Sequence, residues 1–324
     1  MSKPADIALT AVLTILIITD TVSNLLVIFV IKKNKDMRTP ISYLLVNLAV
    51  SDITFAVFVA PNHILKKIFT HPEGGGGSEL CRMLTSGNFA WVGAASSSLT
   101  LVAIAVERYY TVMGPLGSKG KLNKRRVKVI IFGCWIFALV LSLPLFLVTI
   151  FDESTGDCKW NWPESWMGAA YDTTWLVLLA IIPLIIMTGL YSRVVYSLWF
   201  KRNDDNELAF QQKGVLKVRK RVTLSVMTVS AIFGICWITG LLIYILSYFD
   251  IYIFGRFSYA ISDLMFMFNS AVNPFVYSLL NERFREKIKE LLCSTCAAKV
   301  CPSTESYSTK LPNIASHVTR TVQE

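Results

Sequence analysis

Charge is scarce in this sequence. Asp, Glu, Lys and Arg make up 17% of its 324 residues, against 53% hydrophobic residues, and the mean hydropathy is +0.51. A water-soluble fold of this length needs far more charge on its surface, which excludes a pair of soluble domains. The same richness in apolar residues excludes a disordered chain or a collagen-like fibre. Cysteine is sparse for the length, seven in all, so this is no disulfide-stapled mini-protein. The three histidines, His63, His71 and His317, are scattered. No nucleophile–base pair and no metal-ligand cluster appears, so an enzyme acting on a soluble substrate lacks its chemistry. No Asn-x-Ser/Thr acceptor is present, and no repeat relates the two halves.

What the sequence has instead is long apolar runs. A spanning helix needs about 20 apolar residues, and seven stretches qualify: 7–31, 41–65, 83–106, 129–151, 173–192, 222–249 and 257–280. Strands of a membrane barrel are shorter and alternate in polarity. The first run is too long and begins too polar for a signal peptide, so it is expected to remain as the first helix. The expected fold is an all-α membrane protein, a seven-transmembrane helix bundle over 7–280. An extracellular N-terminus, 1–6, precedes it. A short amphipathic eighth helix, 281–293, and a cytoplasmic tail, 294–324, follow.

The net charge of +10 is a matter of location. Lys32, Lys33, Lys35 and Arg38, then 119–128, then 201–221, then Arg283 onward fall on one side, together with Arg108 and Arg193. Only Lys3, Lys66, Lys67, Arg82, Lys159 and Arg256 fall on the other. The positive-inside rule places the N-terminus outside and the tail in the cytoplasm. Anionic inner-leaflet lipid is the natural partner of this charge, and nucleic acid is not.

Ionisable groups within spanning segments point to function. Asp52 lies in Leu48-Ala49-Val50-Ser51-Asp52. Asn24 follows Ser23 in the first helix, Ser97 is in the middle of the third, and Asn269, Ser270, Asn273 and Pro274 are in the seventh. One carboxylate with neutral oxygen donors suits a hydrated hard cation. A water-bridged polar network joining the helices fits the same residues. Asp20, four residues before Asn24, has no role on this reading.

The ordered set of motifs resembles the rhodopsin-like (class A) G-protein-coupled receptors over nearly the whole chain. It comprises Asn24, Leu48-Ala49-x-x-Asp52, Glu107-Arg108-Tyr109, Trp135, Pro183 with Tyr191, Phe233 with Cys236-Trp237, and Asn273-Pro274-Phe275-Val276-Tyr277. The resemblance implies a sodium pocket of Asp52, Ser97, Asn269 and Asn273 beneath Trp237. It also implies a switch in which Glu107 restrains Arg108 until helix six moves, Tyr191 and Tyr277 swing in, and Arg108 meets a G protein. Leu116, after Pro115, is then the apolar loop residue that packs against the G protein. An arginine snorkelling at the membrane edge is the plainer reading of Arg108 alone. A Cys81–Cys158 disulfide on the oxidising side is implied as well, with Cys81 standing slightly further before Arg108 than is usual in the family. Cys293 and Cys296 follow the amphipathic stretch as palmitoylation candidates. The Ser/Thr-rich tail, 303–309, is either a kinase and arrestin target or plain solvated disorder.

Two departures from the family pattern stand out. Thr239-Gly240 occupies the place of the usual helix-six proline. The base of helix six, Lys217-Val218-Arg219-Lys220-Arg221, offers no acid to the helix-three arginine.

The ligand is less legible. Ala90 stands where amine receptors carry aspartate, and no lysine in 257–280 could hold retinal, so no cofactor is expected beyond an allosteric sodium ion. Asp152, Glu153, Asp157, Glu164 and Asp172 are interleaved with Trp160, Trp162, Trp166 and Trp175 near the outer face, and Trp91, Trp237 and Asp263 lie on helices three, six and seven. Acid beside aromatic surface suits a cationic, aromatic ligand. An interfacial tryptophan belt with solvated loop charge fits the same pattern. The stretch 101–109 is similar in style to receptors for RFamide-type neuropeptides, which makes a short basic peptide the expected ligand, with Trp91, Asp172, Trp237 and Asp263 as its site. The reading from a different class is an ion- or proton-coupled transporter, given Asp20, Asp52 and Asp263.

Overall fold

Apolar runs bounded by polar turns fold here into long helices. The computed structural model describes residues 4–63, 72, 75–114, 122–200, 210–253, 257–280 and 284–290. Helix α1 is Pro4–Lys33, α2 is Pro40–His63, α3 is Asn88–Met113 and α4 is Lys124–Val148. Helix α5 runs over Ser165–Phe200, α6 over Phe210–Ser247 and α7 over Ser258–Leu280. Leu116, Cys293, Cys296 and the tail lie outside the described residues, as does the side chain of Tyr277.

Among the described residues six helices are long and apolar enough to cross a membrane, and α7 is not one of them. Its Asp263, Asn269, Ser270 and Asn273 lower its hydropathy, yet all four are buried. In 23 residues it reaches about 35 Å, enough to span. Its polar face turns inward, where a hydropathy average cannot see the difference. The outward surface is apolar instead. On α4, Val129, Phe132, Ile136, Val140, Leu143 and Leu147 are all exposed, a stripe at helical spacing that water would not tolerate and hydrocarbon does.

Helix α3 is central, packed on α2, α4 and α5, while α1 closes the ring between α2 and α7. Its run Gly93-Ala94-Ala95-Ser96-Ser97-Ser98 explains why. Small side chains let neighbouring backbones approach, as is usual between membrane helices. Polar bonds then fix the contact: Ser51 donates to Ser96 at 2.9 Å, Asn47 to Thr100 at 2.8 Å, and the Trp135 indole to Asn47 at 2.9 Å. Proline is handled locally in α5. Pro183 has no N–H for the carbonyl of Leu179. The helix widens into a π-turn over Leu176–Ile181, and the Ser98 hydroxyl donates to Leu179 O at 2.7 Å in its place.

Helices end differently from their hydropathy limits. Helix α5 begins at Ser165 rather than near 173, because its first polar turns lie beyond the apolar core. Helix α4 stops at Val148, and β1, Thr149–Asp152, pairs antiparallel with β2, Asp157–Trp160. The extra length before α3 is taken up by a short helix, Gly75–Leu80, a π-turn, Cys81–Thr85, and a break at Gly87, whose φ is +79°. Helix α6 continues as α-helix through Thr239-Gly240. A Cβ on Gly240 would lie 2.6 Å from Phe266 Cζ, so glycine is there for close approach of α7. Residues 284–290 are helical, with Phe284 buried and Ile288 packed on the core while Arg285 faces solvent.

Candidate functional site

Three polar or aromatic centres lie along the bundle. The first sits under the hairpin. The Cys81–Cys158 disulfide, closing 77 residues, ties β2 to the segment before α3. Asn88 holds β1 by donating to Thr149 Oγ1 at 3.0 Å, and Arg82 Nε donates to Thr149 O at 3.1 Å. The turn is closed by Asp152, which accepts from Ser154 and pairs with Lys159 at 2.7 Å. Those two partners hold its carboxyl well below the usual carboxylate range.

Beneath this lid, Trp160, Trp91 and Tyr244 separate two small cavities of about 10 and 50 Å³. The first is walled by Asp172 and Trp175, the second by His63 and Asp263. Trp91 meets Trp175, Tyr244 and Phe266 edge-on at 5.3–5.9 Å, the geometry that ring quadrupoles favour. The two carboxylates differ in what they already hold. Asp263 accepts from Tyr244 Oη at 2.9 Å and lies 3.0 Å from His63 Nε2, so both its oxygens are engaged. Asp172 lies near Tyr248, and its Oδ2 is buried without a partner. Gly168 permits that contact, since a Cβ there would collide with the Tyr248 ring.

Trp91, Asp172 and Asp263 are thus brought together, and Trp237 is not. Trp237 lies deeper, against Phe233 and Phe266 at 5.2 and 5.5 Å, and borders neither cavity. Trp166 faces outward, in keeping with an interfacial belt. His63 and Tyr244 are site residues that the sequence did not single out. Tyr244 stands two turns from Trp237 on the same helix face, a readable signal. His63 is 200 residues from Asp263, and nothing local announces the pairing.

The second centre surrounds Asp52, fully buried in α2. Ser97 donates to its Oδ1 at 2.8 Å and Asn273 Nδ2 to its Oδ2 at 2.7 Å. Asn269, one turn before Asn273, is buried with its Oδ1 unpartnered, as is Asn273 Oδ1. Such oxygens suit a hard cation by donor chemistry.

The third centre is at the far end of α3. Arg108 Nε donates to Glu107 Oε2 at 2.6 Å, and Thr111 to Glu107 Oε1 at 2.9 Å. Both members of the pair are buried. Arg108 borders a cavity of about 180 Å³ whose α6 wall is Val218, Val222, Ser225 and Val226. No acid from α6 lines it. Tyr109 turns instead to a small cluster of Val112, Val194 and Leu198. Tyr191 is buried, with the Ser230 hydroxyl 3.4 Å away. Pro274 lies within α7 one residue after Asn273.

The comparisons with known proteins agree with this layout. The family described as "7 transmembrane receptor (rhodopsin family)" matches residues 23–277. The mouse pyroglutamylated RF-amide peptide receptor is 28% identical over 292 residues, which is 83% of this chain and 66% of that receptor. The Drosophila melanogaster tachykinin-like peptides receptor 86C is 29% identical over 90% of this chain and 59% of its own length. The rabbit neuromedin-K receptor is 32% identical over 82% and 57%. The chain therefore spans about two-thirds of the length of its RF-amide relative and less of the others. The match runs from the residue before Asn24 to Tyr277 and takes in all three centres: this chain belongs to the rhodopsin family of seven-transmembrane receptors.

Proposed function

We propose that the chain is a cell-surface receptor for a short cationic, aromatic peptide and that it activates a heterotrimeric G protein through movement of α6. The observation that carries this is the two-ended layout. An acidic, aromatic cavity under a disulfide-anchored hairpin faces one way, and a buried, restrained arginine beside an open cavity faces the other. In this reading the hairpin end is extracellular, the Arg108 end is cytoplasmic, and the membrane is the plasma membrane. Relatives named for RF-amide, tachykinin-like and neuromedin-K ligands support a peptide. Arrestin, a receptor kinase and anionic lipid enter through the tail and the basic loops.

Ligand pockets of drug size measure about 300–1,000 Å³, far above the cavities here. The peptide therefore lies mainly over the hairpin and inserts a side chain by displacing Trp160 and Tyr244. Asp172, with a free buried oxygen, is its charge anchor; Asp263 positions Tyr244 and His63 around it. Trp237, below Phe266, senses the insertion rather than touching the ligand. Asp52, Ser97, Asn269 and Asn273 form a sodium pocket between the two ends. At the cytoplasmic end Glu107 holds Arg108 until α6 swings outward, and Tyr191, Tyr277 and the Asn273-Pro274 bend fill behind it. Leu116, and lipid-modified Cys293 and Cys296, complete that face.

The test is guanine-nucleotide exchange on added G protein in receptor membranes, with a panel of amidated basic peptides. Exchange driven by one of them supports the reading; none from any peptide, alongside ion flux, favours the transporter. For the peptide so found, Asp172→Asn is expected to raise the half-maximal concentration by at least about tenfold, the size of a lost charge-assisted hydrogen bond. Asp263→Asn should shift it less. Equal dose–response curves for Asp172→Asn and wild type would remove Asp172 from the site.

With Glu107 as the restraint on Arg108 and no α6 acid beside it, basal exchange should exceed that of receptor-free membranes. Glu107→Gln should raise it further, by about two- to fivefold, since a neutral amide gives up much of a restraint worth roughly 1 kcal/mol. Basal activity equal to empty membranes at matched expression would refute this.

A further inference from the structure

His63 is the only histidine among the described residues. It ends α2 and stands on the wall of the cavity of about 50 Å³ under the hairpin. Its Nε2 lies 3.0 Å from Asp263 Oδ2, while Tyr244 Oη donates to Asp263 Oδ1 at 2.9 Å. Three helices, α2, α6 and α7, thus meet at one carboxylate. The His63 side chain keeps 19% of its surface exposed, so solvent protons reach it.

The titratable groups that face His63 are Asp263 of α7 and Tyr244 of α6. Tyr259 lies beyond, its ring 5.3 Å from that of Tyr244. Helices α1, α4 and α5 place no described residue on this cavity, and α3 and the segment before it bring Trp91 and Ser86, without charge. Asp172 of α5 borders the neighbouring cavity, across Trp91, Trp160 and Tyr244. On the hairpin side Arg82 is paired with Glu79 and Lys159 with Asp152. His63 is therefore the one described group on this cavity that can take up a positive charge.

A neutral imidazole with its proton on Nε2 donates to Asp263, and an imidazolium does so as well. A proton added at Nδ1 leaves both bonds of Asp263 in place. What changes is the charge: His63, Asp263 and Tyr244 together pass from one negative charge to none. Imidazole is the side chain whose ordinary titration spans physiological pH. Two unit charges about 10 Å apart, at an effective dielectric constant near 20, alter an affinity by more than about tenfold.

We propose that His63 is a proton-binding site through which extracellular pH sets the affinity for a cationic ligand. Acidification weakens binding, and bound ligand disfavours the proton by the same factor. The proposal rests on the reading of this end as the extracellular site of a cationic peptide, and adds the proton to it as a second ligand.

The experiment measures equilibrium binding of the amidated basic peptides of the exchange panel to the purified full-length receptor at about pH 8 and about pH 6. His63→Gln keeps an amide donor for Asp263 and does not titrate. The rise in Kd on acidification should be at least about tenfold larger in wild type than in His63→Gln; what the variant retains belongs to Asp172 and to the peptide. His63→Lys carries its charge throughout and should bind at the higher pH as weakly as wild type does at the lower. Ring nitrogen-15 spectra of histidine-labelled receptor, with His63→Gln identifying the signal, read the charge of His63 with no ligand present. A His63 signal that does not titrate over this range overturns the proposal. So does an equal rise in Kd for wild type and His63→Gln, or wild-type affinity in His63→Lys at the higher pH; in each case the peptide site stands. Binding of no panel peptide at either pH overturns the ligand reading and this proposal with it.

Discussion

Gly93→Val is expected to remove most of the receptor from the surface of expressing cells and to lower the melting temperature of what remains by several degrees. A Cβ at Gly93 would lie 2.6 Å from the Ser51 carbonyl oxygen and 2.9 Å from the Phe55 nitrogen. Both are backbone atoms of α2, so no side chain can rotate away. The helix cannot retreat cheaply either, because Ser51, Asn47 and Asp52 bond to Ser96, Thr100 and Ser97 of α3. Overpacking costs about 1–3 kcal/mol where side chains can adjust, and two clamped backbones put this site at the upper end. Gly133→Val is the control: nothing lies within 4 Å of a Cβ there. It should express as wild type does. Equal losses from both variants would mean that helix propensity, not the α2–α3 contact, is responsible.

Cys81→Ser, or Cys158→Ser, should have an effect of similar size by a different route. The bridge closes 77 residues of chain, for which the chain-entropy estimate is about 4 kcal/mol. Helices that stay inserted in the membrane are already confined, which makes this an upper bound. The structural consequence is local. Without the bond the hairpin keeps Asn88–Thr149 as a tie to α3, and Arg82–Thr149 and Phe151–Ser78 as ties to the segment before it. The lid loosens while Arg108, Asp52 and the helix packing remain. Peptide binding should therefore fall much further than basal exchange does. Parallel loss of both would show that the disulfide supports the whole bundle.

How much of this was readable beforehand varies with the kind of residue. The bundle follows from long apolar runs, because hydrocarbon leaves a chain few other ways to satisfy its backbone. The motif residues Asp52, Ser97, Asn273, Glu107 and Arg108 are named from sequence because each stands at a fixed place on its own helix. Helix ends are less legible. Hydropathy reports where hydrocarbon stops, and α5 continues past that point for two turns. Thr239-Gly240 stands where the family has its helix-six proline, and the use of Gly240 is to admit Phe266.

The acidic, aromatic cavities divide along the same line. That acid and tryptophan gather near the hairpin is a fact of composition. Which carboxylate has an oxygen to spare is a fact of geometry: His63 and Tyr244 engage both oxygens of Asp263, whereas Oδ2 of Asp172 is buried without a partner. Trp237 looks like a ligand contact by position and is shielded by Phe266 once the rings pack.

Alone, then, the sequence determined the class of protein, its seven helices and the identity of its motif residues, since these depend on hydrophobic length and on side chains at set positions along single helices. Tertiary structure decided which oxygens are satisfied and which glycines sit against a neighbouring backbone. Those properties arise between helices far apart in the chain, where distances of a few ångströms separate a bonded group from an orphan.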